Sequence, residues 1–271
     1  MRYLWLLALV PVVVPAQDVD PAALMNLRFY PANGGFMVER LTGSNLPPGE
    51  LTFEAVGPAT QAMPLRRREL DTFAGFETLD PNGVPVVRLG KPGRYEFHVK
   101  LAGRVIGKYG FELARAGGEW TRQGDWERVG FLAQNARDPE SPAGFHFWAS
   151  LAELPPGKSR AMLTAHWMLG GREVAATPSP MAVTQRDWQP FRVELGTKGP
   201  KGKVLSLSGL AANDGDYALV VKADGQPWKT FRVRVKGGKP AGLAGYPAHR
   251  LDTSSGSNSS YKLMDVYWVA R

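Results

Sequence analysis

Alternation of apolar and polar residues with a period of two dominates this 271-residue chain. It is clearest in Gly215-Asp216-Tyr217-Ala218-Leu219-Val220-Val221, which passes through Asp224-Gly225 into Lys229-Thr230-Phe231-Arg232-Val233-Arg234-Val235. Successive side chains of a strand point to opposite faces, so the pattern predicts two half-buried strands joined by a tight turn. An earlier stretch repeats it: Gly93-Arg94-Tyr95-Glu96-Phe97-His98-Val99-Lys100, a turn at Gly103, then Tyr109-Gly110-Phe111-Glu112-Leu113. Both copies open on Gly-x-Tyr and reach Val-Lys before the turn.

Shorter runs predict strands at 27–30, 36–41, 51–55 and 84–89 ahead of the first hairpin, and at 128–132, 145–151 and 161–167 ahead of the second. Pro85 favours an edge position for its strand, because proline donates no ladder hydrogen bond. Three anchors recur in one order: Gly-Phe at 35 and 144, Leu-Pro-Pro-Gly at 46 and 154, and Gly-x-Tyr at 93 and 215. That order predicts an internal duplication with about fourteen extra residues in the second copy. Gly170-Gly171 through Asp187 is the expected insertion, an additional hairpin or loop. The expectation is an all-β chain with β-sandwich domains at 17–115 and 116–236, meeting at the small, flexible Ala114–Gly118.

Beyond the second copy, 237–260 reads as a flexible linker, with a Ser-rich run that can bury almost nothing. Residues 261–271 differ. Leu263, Tyr267 and Val269 fall on one face of a strand, and Met264, Val266 and Trp268 on the other. A strand apolar on both faces needs cover on both. Docking within the chain, strand exchange with another molecule through 261–269, and a removable sorting tail are the alternatives.

Gly93 with Tyr95, and Gly215 with Tyr217, each followed by a final hairpin, resemble the tyrosine corner of immunoglobulin-like and fibronectin-III-like sandwiches. In that corner the tyrosine hydroxyl bonds back to upstream backbone. Trp167, just before a Gly-Gly turn, is similar to the core tryptophan of their third strand. Without cysteine, the resemblance is to bacterial tandem domains of this kind rather than to antibody domains. It implies structural roles for Gly93, Tyr95, Trp167, Gly215 and Tyr217, and no activity.

Arg2, an apolar run from Tyr3 to Val14, and Val14-Pro15-Ala16 make a secretory signal pattern over 1–16, with the mature chain expected from Gln17. The run is too short to span a bilayer, and no later stretch is long and apolar enough to do so. The expected location is therefore extracytoplasmic, periplasmic or secreted. The absence of cysteine excludes disulfides and thiolate chemistry.

The formal charge of +8 is scattered: 12 basic against 11 acidic groups over 18–115, and 16 against 12 over 116–236. Export argues against nucleic acid as a partner. An envelope or surface protein, or a polysaccharide, fits better.

Six of the eight tryptophans lie in the second copy. Alternation puts Trp148 opposite Phe145 and Phe147, facing outward beside His146, where a sugar could stack. His146 and His166 on neighbouring strands are too few for zinc, and no cofactor is expected. Arg232 and Arg234 line the outer face of the last strand. There they guard against edge pairing or offer an anionic-ligand stripe. Trp148, His146, His166, Arg232 and Arg234 are thus the ligand-binding candidates. No nucleophile–base pair or carboxylate pair suggests an enzyme. The functional expectation is a non-catalytic binding or structural module of the cell envelope or surface, with carbohydrate binding through second-copy aromatics as the alternative.

Overall fold

The computed structural model describes residues 28–32, 35–42, 51–59, 61–64, 66–70, 73–77, 87–101, 103–116, 118–124, 128–154, 157–184, 189–197, 202–241, 243, 249–252 and 263–271. The signal pattern, the first Leu-Pro-Pro-Gly and the Ser-rich run lie outside them. Strand is the predominant structure of the described chain, with one short helix. Its first half gives β1 (Arg28–Ala32), β2 (Gly35–Thr42), β3 (Leu51–Val56), β4 (Gln61–Pro64), β5 (Arg66–Leu70), β6 (Phe73–Glu77), β7 (Val87–Leu89), β8 (Gly93–Leu101), β9 (Arg104–Ala116) and β10 (Glu119–Gly124). The second gives β11 (Val129–Asn135), β12 (Gly144–Ala149), a 3₁₀ turn (Leu151–Glu153), β13 (Ala161–Leu169), β14 (Arg172–Ala176), β15 (Met181–Val183) and β16 (Gln189–Glu194). After these come α1 (Leu207–Leu210), β17 (Gly215–Ala223), β18 (Gln226–Lys236), β19 (Lys239–Pro240), β20 (His249–Asp252) and β21 (Leu263–Ala270).

The two Gly-x-Tyr hairpins are the same object. Gly93 opposes Leu113 and Tyr95 opposes Phe111; Gly215 opposes Val235 and Tyr217 opposes Val233. Each ladder carries its register shift at the same place, between Val99 and Lys100 and between Val221 and Lys222. The Tyr95 hydroxyl donates to Lys91 O at 2.8 Å and the Tyr217 hydroxyl to Asn213 O at 3.0 Å. Both bonds reach back four residues. Gly93 (φ 138°) and Gly215 (φ 153°) hold backbone positions that only glycine adopts readily. A Cβ on Gly215 would also meet Leu169 Cδ1 at 2.9 Å. Asp224 (φ 49°) and Gly225 (φ 80°) close the second hairpin with the positive dihedrals of a two-residue turn.

In the first half, β4-β3-β8-β9-β10 form one sheet, and β1-β2-β6-β5 another, with β7 also on β2. The second half repeats both pairings, β14-β13-β17-β18 and β11-β12-β16. Here, however, they join into one 11-stranded sheet rather than staying a separate pair of layers. On one side β21 runs between them, pairing β11 from Val129 to Asn135 and touching β18 at Arg232–Ala270. On the other, Ala176 and Gly196 exchange backbone bonds of 3.0 and 2.8 Å. The result is a nearly closed, barrel-like arrangement. Inside it Phe145 and Phe147 of β12 meet Phe231 of β18, with ring centroids 5.0 and 5.9 Å apart. Trp167, Leu163, Leu219 and Val221 fill the same core.

Register also corrects where the second copy gains its residues. The Gly170-Gly171 hairpin is no addition, because β13–β14 pairs as β3–β4 does. Thr52 and Thr164 oppose the equivalent Lys100 and Lys222. Leu89 of β7 and Val193 of β16 hold matching places against Phe36 and Phe145, 104 positions apart, yet Gly93 and Gly215 lie 122 apart. The surplus is therefore the segment 195–214, and the first copy has its own extra hairpin, β5–β6. The segment is built into the core. Leu195, Leu207 and Leu210 are buried, Ser206 caps α1, and Leu210 O accepts the Trp167 indole N–H at 2.9 Å. Gln134, buried on β11, accepts the Leu207 N–H at 3.2 Å and donates to Pro139 O.

Two expected connections contain paired strand. β9 and β10 form a hairpin turning at Gly118, and the span read as linker includes β19 and β20. β21 docks in cis, with Val269 and Tyr267 toward the barrel core and Met264, Val266 and Trp268 buried on the other face.

Two outcomes follow from these contacts. Deleting residues 261–271 strips one neighbour from β11, and the unfolding temperature of the monomer should fall by several degrees or more. An unchanged midpoint would contradict docking in cis. Tyr217→Phe should cost about 1 kcal/mol in a urea titration, the usual net worth of one such bond. A neutral result would remove the corner hydrogen bond from the stability of the hairpin.

Candidate binding face of the second unit

The residues singled out from sequence fall into two environments. Trp148 and His146 share the face of β12 opposite Phe145 and Phe147, as alternation requires, but that face is not open. Trp148 is 1% and His146 7% exposed. His146 stacks flat on Phe131 at 4.5 Å, and Phe131 meets Trp268 at 4.9 Å. Alternation assigns a face and does not say what covers it; here the Phe131 ring of β11 packs against both side chains. Trp120 and Trp167 are buried too, Trp228 is half-buried, and Trp126 and Trp188 lie outside the described residues. The outward-facing sugar platform expected at Trp148 is therefore corrected to a core position.

His166, Arg232 and Arg234 lie together on the outer face of β13-β17-β18. Cross-strand pairing builds this face in rows. His166 opposes Val220, which opposes Thr230; Met168 opposes Ala218, which opposes Arg232; Thr164 opposes Lys222; and Asp216 opposes Arg234. The rows border an open groove of about 680 Å³ with Met168, Ala218 and Val220 on its floor, Arg232 and Arg234 on one side and the Gly170-Gly171 turn at one end. Arg234 Nε donates to Asp216 Oδ1 at 2.8 Å, and a second guanidinium nitrogen reaches Oδ2 at 3.4 Å. The hydrogen bond and charge of Arg234 hold the Asp216 carboxyl below its usual range, and Asp216 raises Arg234 in return. Arg232 and Lys222 have no such partner among the described residues.

The first unit shows the same face differently furnished. Its equivalents of Ala218, Val220 and Arg232 are Glu96, His98 and Gly110. There Glu96 meets His98 Nε2 at 2.9 Å, His98 Nδ1 lies 3.8 Å from Glu54, and Lys100 Nζ lies 2.5 Å from Glu54. Hydrogen bonds from Lys100 and His98 pull the Glu54 and Glu96 carboxyls, respectively, below their usual range. That face is closed by its own ion pairs. In the second unit apolar side chains replace them, beside an exposed Arg232 that has no ion-pair partner among the described residues.

At the other end of the second face His166 sits in a hydroxyl–imidazole–carboxylate chain. Its Nδ1 lies 2.7 Å from Glu173 Oε2 and its Nε2 3.0 Å from Thr164 Oγ1. With Nδ1–H donating to the Glu173 carboxylate, Nε2 accepts from the threonine hydroxyl, the arrangement that activates a nucleophile. Thr164 sits mid-strand, however. β17 pairs one edge of β13, and the neighbouring Ala165 N–H donates to Thr177 Oγ1 at 3.2 Å. Backbone donors that would hold an oxyanion are thus spent in the sheet. This hydrogen-bonded chain ties β13 to β14. The sequence signal for it was the Thr-x-His spacing before a Gly-Gly turn and Arg-Glu after it.

A second polar group is sealed inside. Lys229, fully buried, places Nζ 2.7 Å from Glu153 Oε1 and over the Trp228 ring, while Glu153 Oε2 accepts the Ser150 N–H at 3.1 Å. This pair ties β18 to the 3₁₀ turn, so it anchors the strand that carries Arg232 and Arg234. Among the described residues no cluster of three or more His, Asp or Glu could hold a metal ion, and no helix is long and apolar enough to cross a membrane.

Burial, with the charge of Arg192 adding to it, lowers the His146 pKa from 6.5 to about 3. Below the unfolded value the unfolded chain binds a proton that the folded chain refuses, so stability falls as pH drops through that window. The slope is about 1.4 kcal/mol per pH unit. Between pH 6.5 and about 5, where carboxylates titrate little, the urea midpoint of the wild type should drop while His146→Phe stays nearly level. Parallel losses in both would contradict a neutral, buried His146.

The chain matches no known protein-family model, and no characterised protein or solved structure is significantly similar to it.

Proposed function

We propose that this protein is an exported, non-catalytic binding module of the cell envelope or surface, with an adhesive, assembly or accessory role. Its ligand sits on the outer face of β13-β17-β18. Its two units are immunoglobulin-like or fibronectin-III-like domains; the repeated strand pairing and both tyrosine hydroxyl bonds support that relationship. Export rests on the signal pattern over 1–16.

One observation carries the binding role. Two hairpins with identical register present opposite surfaces, one neutralised by Glu54, Glu96, His98 and Lys100, the other left with Met168, Ala218, Val220 and Arg232 around a groove. Keeping an apolar floor in water costs solubility, and a partner that covers it recovers the burial.

The first unit supplies its own control. Ala218→Glu with Val220→His copies the Glu96 and His98 of a face that folds. The double variant should keep the wild-type circular dichroism and unfolding temperature and lose the partner that immobilised wild-type protein retains from its own envelope fraction. Equal retention by the variant would contradict a ligand on this face.

A further inference from the structure

Resting on that reading of the face, we infer that its ligand is an extended acidic peptide segment carrying two carboxylates four residues apart with an apolar residue midway between them. The cations set the charge. Asp216 occupies Arg234, whereas Arg232 and Lys222 point from the same sheet face without a hydrogen-bond or ion-pair partner among the described residues. Carboxylates form short, charge-assisted hydrogen bonds with such groups, and with arginine in a two-pronged geometry.

The spacing sets the pattern. Arg232 opposes Ala218, and Lys222 lies four residues along β17 from it, with Val220 between. At about 3.3 Å per residue the two cations are about 13 Å apart along the strand, the rise of four residues of an extended chain. Side chains two apart in such a chain share a face. A segment lying along β17 therefore puts residues one and five over the cations and residue three onto Val220 and Met168. The floor is aliphatic, whereas sugars stack on aromatic rings, and the second unit's described indoles are buried or half-buried. A peptide is favoured over an anionic polysaccharide on that ground.

The test is fluorescence anisotropy on the whole mature protein. The probe is a labelled, end-capped Glu-Thr-Leu-Thr-Glu peptide, and its control is Glu-Glu-Thr-Leu-Thr. The spaced peptide should bind about tenfold more tightly than the control, and Arg232→Glu or Lys222→Glu should each weaken it by about tenfold, the loss of one charge-assisted contact. Both residues lie on the outer face, so the unfolding temperature should stay near wild type. Equal binding of the two peptides, or no effect of Arg232→Glu, overturns the inference. A heparin oligosaccharide separates its failure from that of the binding face. If heparin binds wild type but not the Ala218→Glu, Val220→His variant while the peptide fails, the face stands and the peptide falls. If neither probe binds, both fall.

Discussion

β21 cannot be left in water on either face, and the second unit is arranged around that constraint. Val269 and Tyr267 belong to the barrel core; Met264, Val266 and Trp268 belong to the layer with Phe131. A strand of this kind is stable only inside a sheet with cover above and below. Placed between β11 and β18, it hydrogen-bonds one layer to the other, its last residue Ala270 pairing with Arg232 at the middle of β18. The strand whose outer face carries Arg232 and Arg234 is thereby held at its middle by β21 and near its start by the buried Lys229–Glu153 pair. A rigid strand is a better platform than a loop, because less order must be imposed when a ligand arrives.

The two matching hairpins turn the chain into its own comparison. The two hairpins agree in register, in the place of the register shift and in the tyrosine bond, so differences between their outer faces are not consequences of fold. Glu96 and His98 give way to Ala218 and Val220, and Gly110 to Arg232. The inner faces stay apolar in both units, Phe97 and Phe111 in one and Leu219 and Phe231 in the other. Packing constrains the inner face of a hairpin; the outer face is free to serve a ligand.

Local rules made much of this legible. Alternation locates both hairpins and the two faces of β21, and Gly-x-Tyr locates the two tyrosine hydroxyl bonds, because each depends on residues close in sequence. What failed depended on distant pairing. A net offset between the two halves cannot reveal that segment 195–214 has no counterpart in the first half while β5–β6 has none in the second. Alternation places Trp148 on the correct side of β12, yet its burial depends on neighbours such as Phe131 of β11 that come from elsewhere in the chain. Arg232 and Arg234 were recognised as an outward stripe. The groove beside them was not, since it needs Met168 and Val220 brought alongside by β13 and β17. Glu173 joined His166 only once the register of β13 against β14 was known.

The central claim is that only the second of two equivalent faces receives a ligand. Amide hydrogen exchange of the protein, with and without an extract of the cells that make it, tests this most directly. The account predicts added protection over 216–222 and 230–234 and no change over the matching 94–100 and 108–112. Protection shared by both hairpins, or confined to the first, would contradict it.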